Sequence, residues 1–333
     1  MGIVTASSVP RRAHIGVFFD LLLPPPPRTP GLAAGAGRAF APAKGRGHAR
    51  ALEESAVLRF RSGRGMPWEG GLAMVDLQRR RALVMGVANE QSIAWGIAQS
   101  LAAAGAELAF SYLPDATGRA EARVKRVVRA LGSPLVLPCD VGEEGAIADL
   151  FRVLDDRWGE LDVLVHSLAW AARGELGGEF SATSRQGFAA TNEISAYSFI
   201  AAARHARPLM VGRQGSMVTV TYIGSQRAVP GYNVMGVAKA ALEAATRYLA
   251  AELGPHGIRV NAVSSGPIET LSSSAVPGLD RMLTAAAELS PLRRNVSQRE
   301  VGDAVAFLCS DLAAGVTGQV LYVDAGLSIT FGV

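Results

Sequence analysis

Apolar residues in this chain gather into short continuous runs separated by longer stretches with helical spacing, and the alternation begins near residue 82. Ala82-Leu83-Val84-Met85-Gly86-Val87 is unbroken by charge and closes around a glycine, the pattern of a strand buried on both faces. Residues 92–104 then repeat apolar positions every three to four residues and stop at Gly105, which suits the position just past a helix end. The same unit recurs. Strands are predicted at Glu107 to Ser111, Leu135 to Leu137, Leu161 to His166, Gly215 to Val220, Ile258 to Val263 and Val320 to Val323. Helices are predicted over 115–131, 143–157, 185–211, 232–253 and 297–310, with a further apolar helix over 279–289 behind a serine-rich stretch. Six or seven parallel strands with intervening helices make an α/β protein with a doubly wound parallel sheet. Sheets of this kind take ligands at the carboxyl ends of their strands.

The first 73 residues differ in kind. They hold ten basic and four acidic side chains and eight of the 17 prolines, and neither helical nor strand periodicity persists in them. The expected organisation is a disordered basic arm over residues 1–73 followed by one domain over 74–333. The arm supplies the whole positive excess: the chain carries +4, and the remainder without the arm is slightly acidic. Overall basicity is therefore no argument for nucleic-acid binding. Two origins suit the arm, an upstream choice of start codon or an organelle transit peptide. Met74 opens directly onto the first strand, and Glu69-Gly70-Gly71 would be encoded by a purine-rich stretch like a bacterial ribosome-binding site, which favours the first. Two distant cysteines, Cys139 and Cys309, give neither a disulfide framework nor metal-ligand spacing, so no metal is expected. No apolar run reaches the roughly 20 residues that span a bilayer, so a cytoplasmic protein with no membrane contact is expected, organellar only if the arm is a transit peptide.

Candidate chemistry sits at the predicted strand ends. The first turn, Gly86 to Gly96, lacks the usual Gly-x-Gly-x-x-Gly spacing but keeps a tight-turn glycine and Ser92 at a helix N-terminus, where free N–H groups attract a pyrophosphate. Taken alone, this is equally an ordinary strand-to-helix turn. Asp140, after the third strand, suits either a hydrogen bond to adenine or a helix cap. His166 on its own reads as a packed histidine rather than a proton donor. Tyr232 and Lys239 are seven residues apart, two turns along one helix face. There the lysine can bind ribose hydroxyls and by its charge favour a polarised or ionised phenol. Ser265-Gly266-Pro267-Ile268-Glu269-Thr270-Leu271 follows the sixth strand, with Ile268 and Thr270 suited to cover a nicotinamide and its phosphate. Ser272 to Ser274 and the 279–289 helix suit a mobile lid over an apolar substrate.

Together these segments resemble the enoyl-acyl-carrier-protein reductases of bacterial type II fatty-acid synthesis, a divergent branch of the short-chain dehydrogenase/reductases. The carrying motifs are Ser-Ile-Ala-Trp-Gly (92–96), Tyr-Asn-Val-Met-Gly-Val-Ala-Lys (232–239), Gly-Ile-Arg-Val-Asn-Ala (257–262) and Gly-Pro-Ile-x-Thr-Leu (266–271). Ala-Phe-Leu-Cys-Ser-Asp-Leu (306–312) and Val-Asp-Ala-Gly (323–326) complete them, over roughly residues 76–331. The resemblance implies a Rossmann-like fold and reduction of a trans-2-enoyl thioester to the saturated acyl thioester, with NADH as the cofactor. Tyr232, Lys239 and Tyr222 match its catalytic positions. Gly86, Ser92, Ile93, Asp140, Val141, Leu168, Lys239, Ile268, Thr270, Leu271 and Ser272 match its cofactor contacts, and Ala171, Tyr222 and Tyr232 its substrate contacts. It further implies an acyl carrier protein as partner and a homotetramer packed through the long helices 185–211 and 232–253.

The chain also departs from the family pattern. Glu269 stands where many members have a basic residue, and the lid carries only Arg281, so an acidic carrier protein would meet a thinner positive patch. Phe110-Ser111-Tyr112-Leu113-Pro114 holds no Arg or Lys to clamp a 2′-phosphate, which favours NADH over NADPH. Two other readings are a short-chain dehydrogenase acting on 3-oxoacyl thioesters and a non-catalytic cofactor-binding sensor with a nucleic-acid-binding arm. The first requires Tyr-x-x-x-Lys, and the second predicts loss of Tyr232 or Lys239, neither of which this sequence has.

Overall fold

The predicted strands form a single sheet with helices on both faces, which explains why their apolar runs are continuous. In the computed structural model, which describes residues 75–330 apart from 133, 144, 271, 272, 274 and 275, the strands are β1 (Arg81–Met85), β2 (Glu107–Tyr112), β3 (Leu135–Pro138), β4 (Val163–His166), β5 (Ser216–Thr221), β6 (Arg259–Ser265) and β7 (Val320–Val323). All pair in parallel in the order β3-β2-β1-β4-β5-β6-β7. The helices are α1 (Ile93–Ala103), α2 (Arg119–Val128), α3 (Ala146–Trp158), α4 (Arg185–Asn192), α5 (Ser198–Met210), α6 (Asn233–Leu253), α7 (Leu279–Leu289) and α8 (Gln298–Cys309). Successive strand residues point to opposite faces. Ala82 and Val84 pack with Ile97, Val124 and Val305 from α1, α2 and α8. Leu83 and Met85 pack with Phe151, Phe199 and Leu242 from α3, α5 and α6. This is the expected doubly wound α/β fold, and the arm expected over residues 1–73 lies outside the described residues.

Strand order reverses between β1 and β4, which leaves a crevice at their carboxyl ends where a ligand can enter without crossing a connection. Close helix packing braces the α1 side of that crevice. A Cβ on Gly302 of α8 would lie 2.4 Å from the Gly96 carbonyl oxygen of α1, so bare backbone on both helices allows them to touch.

The structure differs from the sequence reading in three helices. Asp115 accepts hydrogen bonds from the N–H groups of Thr117, Arg119 and Ala120, which holds residues 115–118 in a turn and delays α2 to Arg119. Asp140 accepts from the N–H of Gly142, and Gly145 is left-handed at φ 84°, so α3 starts at Ala146 and Asp140 closes a turn rather than capping the helix. The expected helix over 185–211 is two helices, α4 and α5, joined by a π-helical turn at Glu193–Tyr197. Among the described residues no helix is long and apolar enough to cross a membrane.

Candidate active site

A cavity of about 490 Å³ fills the crevice, walled by the loops after β1, β4, β5 and β6 and by the start of α7. At its back Gly86 is left-handed (φ 109°), and a Cβ there would lie 2.2 Å from the Ser167 carbonyl oxygen. Only glycine lets the β1 turn and the β4 loop touch. Ser92 stands at the N-cap of α1, but its hydroxyl turns back to accept from the N–H groups of Ala88 and Asn89, both at 3.1 Å. It makes no bond to the first turn of α1, whose residues Ile93 and Ala94 form part of the cavity wall. Helix N–H groups free of a side-chain cap at a cavity wall suit an anion.

The β4 loop is held from behind. Buried Ser195, in the π turn, accepts from the Trp170 N–H at 3.0 Å and donates to the Trp170 carbonyl at 3.1 Å. Leu168 and Ala171 of this loop line the cavity. His166 does not. It is buried at the end of β4, with Nδ1 3.0 Å from Thr219 Oγ1 and Nε2 2.8 Å from Ser198 Oγ. Burial lowers its pKa to about 3, so it is a neutral packed histidine.

Tyr222 follows β5, and Tyr232 immediately precedes α6. Their rings meet edge to face at a centroid separation of 4.9 Å. Burial pushes the Tyr222 phenol up to about 12 and the Tyr232 phenol higher still, so both keep their protons at neutral pH. A phenol held in that form donates a hydrogen bond, and the ionised phenol that the lysine's charge was expected to favour is not formed at neutral pH, because burial outweighs that charge. Lys239, two turns further along α6, is buried, and its Nζ donates to the Val220 carbonyl at 2.7 Å. Burial brings its ammonium down to about 8 while Glu243 works in the opposite direction. All three side chains reach the same cavity.

Ile268 and Thr270 line the far wall, where the Thr270 N–H donates to Ser273 Oγ at 2.7 Å and the Ser273 N–H donates to Thr270 Oγ1 at 3.0 Å. Leu279 and Met282 of α7 close over the site, and the Tyr222 hydroxyl donates to Met282 Sδ at 3.4 Å. Leu271 and Ser272 lie outside the described residues. Asp140 and Val141 are not on the cavity wall; they stand past the end of β3, beyond β2 and β1 along the sheet edge. The sequence reading missed Ser195 and Glu243. Glu243 was detectable as an acidic residue four positions after Lys239 on an otherwise apolar helix face, whereas nothing local marks Ser195.

These residues fit a dinucleotide. The glycine at the β1 turn, the uncapped start of α1, a buried lysine and a crevice at the strand-order reversal are what a pyrophosphate, ribose and nicotinamide require. Comparison with known proteins gives the same direction. The profile of the family described as enoyl-(acyl carrier protein) reductase matches residues 86–328. The enoyl-[acyl-carrier-protein] reductase [NADH] of Nostoc sp. is 54% identical over 256 residues, 77% of this chain and 99% of that protein. Its Escherichia coli counterpart, also named for NADH, is 45% identical over 254 residues, 76% of this chain and 95% of that one. The crystal structure of enoyl-[acyl-carrier-protein] reductase (NADH) from Aquifex aeolicus superposes with a TM-score of 0.74 at 45% identity, over 77% of this chain and 99% of its own. With the family profile matched over residues 86–328 and the sequence aligned over nearly the full length of these relatives, this chain belongs to the enoyl-(acyl carrier protein) reductase family.

Proposed function

We propose that this protein reduces the trans-2 double bond of an enoyl group, carried as a thioester on acyl carrier protein, to the saturated acyl thioester with NADH. The observation that carries this reading is the convergence of Tyr222, Tyr232 and Lys239 on one largely apolar cavity at the reversal point of the sheet. NADH is supported by the relatives' names and by the lack of a basic side chain in residues 110–114. Gly86, Ser92, Ile93, Leu168, Lys239, Ile268 and Thr270 are the residues that would hold it; the family match adds Leu271 and Ser272, and, for its adenine end, Asp140 and Val141 past β3. Bound there, the nicotinamide would supply the hydride that bonds to C3 of the substrate, and a proton added at C2 from solvent would complete the saturated product.

The chain's own residues provide the rest. As hydride arrives, negative charge builds on the thioester oxygen, and a phenol that keeps its proton at neutral pH is the donor such an oxygen needs. Tyr232 takes that part, with Tyr222 packed edge-on to hold the ring and order the substrate. Lys239 supplies a cation in a water-poor setting, where charge acts more strongly than at a surface. Ala171, Leu176, Met235, Val276, Leu279 and Met282 offer an apolar channel to an acyl chain and keep water from the reacting atoms. Residues 270–290 act as the lid, residues 74–333 form the reductase domain, and residues 1–73 are an arm outside it. A homotetramer in the cytoplasm belongs to the same reading. Its support is the exposure of Phe188, Tyr197 and Tyr248 on α4, the π turn and α6, aromatic surface that a partner subunit would cover.

The test is NADH consumption by the purified protein with enoyl thioesters of short and long chain, repeated with NADPH. Enoyl-dependent oxidation is expected, and Tyr232→Phe is expected to lower kcat by about 10²–10³-fold. Inert enoyl substrates together with turnover of 3-oxoacyl thioesters would overturn the reading.

A further inference from the structure

Glu243 has no part in the chemistry above, yet it is 4% exposed in α6, the helix that carries Lys239 and begins directly after Tyr232. A buried carboxylate is costly unless it is bonded, and this one is. Its Oε1 accepts from Thr221 Oγ1 at 2.8 Å and from Ser225 Oγ at 2.5 Å. Those two hydroxyls bracket Tyr222 in the chain, one directly before it and one in the short turn after it. The same stretch meets α6 through bare backbone: a Cβ on Gly236 would lie 2.7 Å from the Gly224 carbonyl oxygen, and one on Gly224 would lie 2.6 Å from Tyr232 Cδ1. The segment bearing Tyr222 is thus seated on α6 and on Tyr232 directly before it, with Glu243 as its polar fastening.

Glu243 also lies one helical turn beyond Lys239, on the same face. The titratable groups around the lysine are His166 from β4, a neutral imidazole, and the uncharged phenols Tyr222 and Tyr232, so Glu243 is the anion that favours its charged form. Tyr322 of β7 also feels Glu243: burial first, and then this carboxylate, hold its phenol above the usual value.

We propose that Glu243 is a positioning residue of the reductase site: through Thr221 and Ser225 it holds Tyr222 against Tyr232, and one helical turn beyond Lys239, on the same face, it sets a carboxylate beside the ammonium. This inference rests on the proposed reductase activity. The two roles separate by substitution. Glu243→Gln removes the charge and retains an acceptor, whereas Thr221→Val with Ser225→Ala removes the two donors and retains the charge.

The experiment is the pH profile of kcat for the full-length protein with NADH and an enoyl thioester, with thermal melting of each variant alongside. In the wild type the lysine ammonium, lowered to about 8, sets an alkaline limb. Without the carboxylate the charged lysine is less favoured, so in Glu243→Gln this limb moves to lower pH, by about half a unit or more. In the Thr221→Val/Ser225→Ala protein the limb stays in place and kcat falls roughly five- to tenfold at every pH. Should Glu243→Gln not fold, Glu243→Asp replaces it: its shorter side chain leaves both hydroxyls but stays anionic, so a lower kcat with an unmoved limb is expected. An unmoved limb in a folded Glu243→Gln protein, or wild-type kcat in the hydroxyl-free or Asp protein, overturns the inference while leaving the reductase reading intact. A wild-type protein inert toward enoyl thioesters overturns both.

Discussion

Lys239 shows the conflict between stability and chemistry at the scale of one residue. Its ammonium titrates near 8 in the folded chain against 10.5 for a free lysine, because burial penalises the charge. Between those values the unfolded chain binds more protons than the folded one, so this group makes stability rise with pH across that window. Below it the full cost of burying the charge is present. Lys239→Met sheds that cost but also takes the donor from the Val220 carbonyl and the cation from beside buried Glu243, so it is expected to lie within about 1 kcal/mol of the wild type near neutral pH. Urea unfolding checks this, and relative to the wild type the variant should lose stability as the pH is raised toward about 10, where the lysine of the folded protein is neutral. The same variant should lose most of its turnover. Tyr232 and Lys239 were legible in the sequence because their relation is local, two turns of one helix. Their burial was not, since it is set by β5, the β4 loop and α7.

At the scale of elements, the junction of α4 and α5 is the most informative difference from the sequence reading. A π turn keeps the chain helical with one looser turn, so the apolar spacing over 185–211 barely changes and one continuous helix is the natural reading. Its partners lie elsewhere in the chain: Ser195 holds the Trp170 peptide at both its N–H and its carbonyl, and Ser198 meets the buried His166. Ser195→Ala is expected to cost about 1 kcal/mol of stability through the lost bonds. Because the loop it braces carries Leu168 and Ala171 but no reacting group, KM should rise several-fold with kcat little changed. Steady-state kinetics with varied enoyl thioester separates the two, and a variant that loses kcat at unchanged KM would give Ser195 a different part.

At the scale of the whole molecule, the domain boundary is the open prediction. A protein begun at Met74 is expected to melt as the full chain does and to match its turnover within about twofold, because the described residues, 75–330, already form packed core clusters and the cavity among themselves. The Nostoc relative gives independent support, since 256 residues of this chain account for 99% of its length. Parallel melting curves and NADH-consumption rates for the two lengths provide the check. A shortened protein that fails to fold would show that residues 1–73 belong to the domain.

Apart from the π turn that divides 185–211 into α4 and α5, the sequence by itself determined the order and type of the strands and helices, because burial on one face or on both imposes a period that each segment carries within itself. It also determined the Tyr232–Lys239 pair and the glycine at the first turn, which depend on near neighbours. The tertiary structure decided what depends on distant partners. Gly86 must be glycine because of Ser167, the β4 loop is hydrogen-bonded from behind by Ser195, and Glu243 is buried against Thr221 and Ser225. It also decided that Asp140 and Val141 stand apart from the cavity while Leu279 and Met282 close it. Such contacts arise only once the sheet has assembled in its order, and no local pattern of apolar and polar residues encodes them.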